Sequence, residues 1–164
     1  MSNQLQDVLQ KQQEQKKPQA ETENIIQLVA FVVGSEEFSV PILSIQEIIK
    51  PLEYTRVPGV PDYVLGVFNM RGIVVPLINL RLRFGLQYER PTEDTRYIVI
   101  KNQEEERAGF IIDKLTEAVR IKQSDIDPAP DTVSQNENLI YGVGKKDNRL
   151  ITILSPEELL KRTF

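Results

Sequence analysis

Residues 65–81, Leu65-Gly-Val-Phe-Asn-Met-Arg-Gly-Ile-Val-Val-Pro-Leu-Ile-Asn-Leu-Arg81, constrain the fold more than any other stretch. Two apolar runs, 65–68 and 73–78, flank the polar tip Asn69-Met70-Arg71-Gly72. β-Branched and aromatic residues dominate both arms and favour extended backbone over helix. Gly72 supplies the positive φ that a tight reversal needs, and Asn69 tolerates it. The arms are apolar on both faces, which suits a hairpin wedged between two small barrels rather than a strand with one wet side. Arg71 then has two readings: an ordinary polar turn residue, or part of a surface that meets a partner.

The rest of the chain repeats the pattern of short strands and turns. Residues 25–33 and 38–40 read as strands around the turn Gly34-Ser-Glu-Glu37, and Pro41 ends the second. Ile42, Ile45, Ile48 and Ile49 have helical spacing, whereas Ile45, Glu47 and Ile49 suit one strand face; periodicity does not choose, and a helical turn followed by a strand is the preferred reading. Arg56-Val-Pro-Gly-Val-Pro61 is a loop, and Asp62 is placed to cap a helical turn. Pro76 marks an edge or a bulge within the hairpin's second arm. Asn79 caps a short helix that Gly85 closes, with Arg81 and Arg83 pointing into solvent. Polar residues 87–95 mark a boundary, so a second half starts near residue 92. It holds strands at 96–101, 107–112 and 118–121, a long linker at 124–138, and a hairpin around Lys145-Lys-Asp-Asn148. Ser155-Pro-Glu-Glu158 has the cap, first-turn proline and acidic third position of a helix start. About ten short strands with little helix predict an all-β fold of small antiparallel barrels. Residues 1–24 are rich in Gln, Lys and Glu, and read as a disordered tail or as a transient helix that docks on a partner.

Composition narrows the function. The 164 residues contain no His, Cys or Trp. Imidazole and thiol catalysis are excluded, the common zinc ligands are missing, and no disulfide forms. The acidic clusters Glu36/Glu37, 104–106, Asp125/Asp127 and Glu157/Glu158 sit in turns, loops or a helix start, where solvated charge is the ordinary reading. A carboxylate-dependent hydrolase is therefore a distant rival. A net charge of −4 and scattered tyrosines argue against a nucleic-acid-binding barrel, the second rival. The sequence has neither an apolar run long enough to cross a membrane nor a secretory leader, and reads as cytoplasmic without membrane insertion. No cofactor is expected.

Several motifs, taken in order, resemble the CheW-type chemotaxis coupling proteins. They are Phe38-Ser-Val-Pro-Ile-Leu-Ser-Ile-Gln-Glu-Ile48, Thr55-Arg-Val-Pro-Gly59, the 66–81 hairpin, Arg107-Ala-Gly-Phe-Ile-Ile-Asp113 and Ile126-Asp-Pro-Ala-Pro130. The resemblance runs from about residue 25 to 160. It implies two SH3-like five-stranded β-barrels sharing a hydrophobic core, and a non-catalytic adaptor. Such an adaptor joins the cytoplasmic tip of a chemoreceptor to the regulatory domain of a CheA-type histidine kinase, and is recruited to receptor arrays at the membrane. By resemblance, Ile45, Glu47, Asn69 and Arg71 meet the receptor. Ile126, Asp127, Asp131 and Thr132 lie in a region that meets the kinase; Asp127 and Thr132 depart from the basic and aromatic residues of some relatives there. Asn79 stands where many relatives have Asp. A paralogue in a non-flagellar chemosensory pathway fits the same residues. If nothing follows Phe164, no fused receiver domain is expected.

Overall fold

The computed structural model describes residues 24–128 and 137–161. The first sheet's earliest strands are β1 (Ile25–Val33) and β2 (Glu36–Pro41). After a 3-10 turn at Ile42–Ser44 come β3 (Ile45–Ile49), β4 (Val64–Met70) and β5 (Ile73–Asn79), then helix α1 (Leu80–Arg83). The chain continues through β6 (Arg96–Lys101), β7 (Arg107–Ile112), β8 (Lys114–Lys122) and the short β9 (Ile126–Pro128). β10 (Ile140–Lys146), β11 (Arg149–Leu154) and helix α2 (Pro156–Lys161) complete it.

These strands form a five-stranded sheet, β3-β6-β7-β5-β4, and a six-stranded sheet, β8-β1-β2-β11-β10-β9. The resemblance implies five strands in each; the sixth here is the three-residue β9, which falls inside the stretch read as linker. It forms because Ile126 packs half-buried beside Leu28 and Ile121, while its backbone pairs with Gly144. The polar stretch 87–95 does not separate the sheets, since β6 and β7 join β3, β4 and β5 across it. Two parallel contacts, β2 with β11 and β5 with β7, knit early and late strands together.

Apolar side chains divide into three clusters. Phe31, Val40, Ile98, Ile100, Phe110, Ile112, Leu154 and Leu160 belong to a core shared by both sheets. Each sheet also has its own interior: Leu28, Val119 and Ile153 in one, and Phe68, Leu77, Tyr97 and Val99 in the other. Neighbouring residues of β6 therefore alternate between two apolar compartments, which is why the strand is hydrophobic at every central position. Burying each large side chain contributes about 1.5–3 kcal/mol. A bulge at Thr116 reverses the alternation of β8, so Leu115 faces the shared core while Val119 and Ile121 face the sheet's own interior.

Both helix starts form as the local sequence reads. Asn79 Oδ1 accepts from Leu82 N at 3.1 Å, and Gly85 has φ 81° after the helix. Ser155 Oγ accepts from Glu158 N, and Leu159 and Leu160 are buried behind it. Pro76 lies on β5 before the β7 pairing begins at Leu77, so no ladder donor is missing there. Asp62 caps no helix; it sits in a turn closed by Val64 N donating to Pro61 O. Arg81 is also not solvated: its side chain is 17% exposed and forks onto Asp113, which a reading of α1 alone does not reveal. The tail at 1–23 lies outside the described residues.

Candidate partner-binding surface

The β4–β5 hairpin closes with two residues, Arg71 at φ 54° and Gly72 at φ 85°. Two successive positive φ values make the primed turn whose twist matches paired strands, and arginine in that conformation is strained by about 1–2 kcal/mol. Asn69 Oδ1 offsets this by accepting from Gly72 N at 2.8 Å across the turn. At the base of β4, Gly66 lets the Thr55 backbone approach: Thr55 and Val67 exchange both hydrogen bonds, and a Cβ on Gly66 would lie 2.0 Å from Thr55 O.

Those contacts bring the sheet's two edges together. β3 and β4 are the terminal strands of the five-stranded sheet, yet Arg71 Nη2 donates to Glu47 Oε1 at 2.7 Å. Tyr97 Oη donates to Leu52 O at 3.0 Å inside the closure, and burial pushes its pKa up to about 12, despite that hydrogen bond. The sheet thus curls on itself, as a small barrel does. Arg71's side chain is 80% exposed and Glu47's 23%, so the pair contributes at most about 1 kcal/mol to stability. Its effect is directional: Glu47 holds one edge of the guanidinium and leaves the rest facing outward.

Four residues assigned to the receptor by resemblance separate into two places. Glu47, Asn69 and Arg71 come together at the tip. Ile45 does not join them, because Ile45 opposes Ile100 while Glu47 opposes the adjacent Val99, leaving Gln46 as a bulge. That extra residue turns Ile45 toward the shared core with Ile48, so Ile45, Glu47 and Ile49 line no common face. Ile45 instead lines an open groove of about 530 Å³ with Pro41, Leu43, Lys101 and Pro156.

Sequence reasoning missed two sets of exposed apolar residues. The hairpin arms are not buried along their length: Ile73 and Val74 beside the tip are exposed, Val74 by 65%. Leu43 in the 3-10 turn is 97% exposed. Its position outside the Ile42/Ile45/Ile48/Ile49 stripe was the available signal. On the other sheet, Ile126 is half-buried on β9, and Asp127 is exposed 3.4 Å from Lys145 Nζ. Asp131 and Thr132 lie outside the described residues. Among those described, no cluster of acidic side chains is arranged to hold a metal ion, and no helix is long and apolar enough to cross a membrane.

Known proteins share this architecture. A CheW-like domain family profile matches residues 27–164. The chain is 55% identical to a chemotaxis protein CheW of Helicobacter pylori over the whole of both chains. It is 33% identical to that of Bacillus subtilis over 82% of this chain and 86% of the relative. The crystal structure of the scaffolding protein TtCheW from Thermoanaerobacter tengcongensis superposes with a TM-score of 0.74 at 28% identity, covering 79% of this chain and 88% of that one. The two curled sheets are accordingly two SH3-like β units, and the chain belongs to the CheW family of chemotaxis scaffold proteins.

Proposed function

We propose that this chain is a non-catalytic adaptor that couples the cytoplasmic tip of a chemoreceptor to the regulatory domain of a CheA-type histidine kinase. The observation that carries the reading is the hairpin tip. An outward-facing arginine, held by Glu47 and by the turn that Asn69 braces, stands beside exposed Ile73 and Val74. An apolar patch with one directed cation suits an amphipathic helix bearing carboxylates, with burial supplying affinity and the charge supplying register. Arginine fits this task because its planar fork still presents free donors after one edge is engaged.

In this reading Arg71, Ile73 and Val74 meet the receptor, Glu47 and Asn69 aim Arg71, and Ile45 contributes through the adjoining groove. The β9 edge, with Ile126 and Asp127 and the following Asp131 and Thr132, meets the kinase. The protein works in the cytoplasm and is recruited to membrane-associated receptor arrays.

The test mixes the chain with receptor cytoplasmic fragments and a cognate kinase, then follows ATP-dependent autophosphorylation and co-sedimentation. The adaptor reading expects kinase activity to change only when all three are present. Unchanged activity together with no co-sedimentation sinks it.

A further inference from the structure

Asp113 is the single residue between β7, in the five-stranded sheet, and β8, in the six-stranded one. Its carboxylate joins three parts of the molecule. Arg81 on α1 forks onto it, with Nε 3.0 Å from Oδ1 and Nη2 2.7 Å from Oδ2. Gly34 N, in the β1–β2 turn, donates to the same Oδ2 at 2.8 Å. Asp113's own N–H donates to Val32 O at 3.0 Å. Glu89 stands 3.4 Å from the guanidinium, and the hydrogen bond that Arg81 donates to Asp113 leads the interactions that raise the Arg81 pKa.

The junction occupies a mechanical position. Among the described residues the chain passes between the sheets twice, at 41–45 and at Asp113. Ile45 opposes Ile100 and Ile112 opposes Arg96, so the crossings sit at opposite ends of β6, about 13 Å apart at strand rise. The first crossing lines the groove at the candidate surface; the second is clamped by Arg81. β5 runs from exposed Ile73 at the tip to Asn79, which caps the helix carrying Arg81. Beyond α1, Phe84 stacks on Phe38 of the six-stranded sheet with ring centroids 4.8 Å apart. The hairpin tip and the six-stranded sheet are thus joined by one packed strand and a directional ionic clamp.

We propose that the Arg81–Asp113–Gly34 junction is a positioning element that energetically links occupancy of the 69–72 tip to binding by the six-stranded sheet at its β9 edge. This rests on the adaptor reading, and the two fail differently. Affinity of the kinase regulatory domain for the chain is measured with and without a saturating receptor fragment. The unmodified chain is expected to show a ratio of about fivefold or more. Asp113→Asn and Arg81→Lys should bind the kinase domain alone within twofold of the parent, with the ratio collapsing to about one. Folded variants that keep the parent's ratio, or a parent whose ratio is already one, overturn the linkage and leave the adaptor reading standing. A parent that binds neither partner overturns both. A second measurement needs no variant: amide exchange at Gly34 should change at least threefold when receptor fragment binds the tip, and an unchanged rate overturns the proposal.

Discussion

Arg71 and Glu47 lie 24 positions apart, on elements at opposite edges of one sheet, and meet at 2.7 Å. The contact exists because the sheet closes on itself, so an ion pair of little energetic worth reports the curvature that builds the surface. Arg71→Ala and Glu47→Ala should each lower stability by less than about 1 kcal/mol. Both should weaken co-sedimentation with receptor fragments, Arg71→Ala by about tenfold or more. Thermal unfolding alongside the binding assay separates the effects. A variant that melts many degrees lower would show the pair to be structural.

Asn69 has a different task from contact. Asn69→Ala removes the acceptor for Gly72 N and should cost about 0.5–1.5 kcal/mol. It should raise amide exchange at Gly72 and weaken receptor binding less than Arg71→Ala does. Asn69→Asp keeps the acceptor and should retain slow exchange.

Gly66 tests the closure itself. Any Cβ there meets the Thr55 carbonyl, which is backbone and cannot swing aside. Gly66→Ala should destabilise by about 3 kcal/mol, lowering the melting temperature by about 6–12 °C. Gly72→Ala, with open space around its Cβ, should cost less, mainly through its positive φ.

Tyr97 predicts an alkaline limb. Burial favours its neutral form and raises its pKa from the ordinary 10 to about 12. Between those values the unfolded phenol loses its proton and the folded one keeps it. This contribution is therefore whole below about pH 10 and is lost as pH climbs toward about 12. Chemical denaturation at pH 9 and 11.5 should show a steeper loss for the parent than for Tyr97→Phe. At pH 7 that variant should lose about 0.5–1.5 kcal/mol from the missing bond to Leu52 O.

The features legible in the sequence are local ones. The Asn79 and Ser155 caps and the β10–β11 turn, with Asp147 and Asn148 at positive φ, each span two to four residues. Their chemistry is complete within that span, so residue type and spacing suffice. The all-β class was legible for the same reason: many short β-branched runs separated by turn residues permit little else.

The tertiary structure decided where those pieces meet. Arg81 looked like a solvated helix charge because its partner, Asp113, is 32 positions away. Ile45 and Glu47 looked like one face until the Gln46 bulge, set by pairing with β6, turned them apart. Val74 looked buried because an apolar arm says nothing about how far the sheet that receives it extends. Each depends on register, bulging and closure of distant strands, which balance burial over the whole core. A window of neighbours carries no record of that balance.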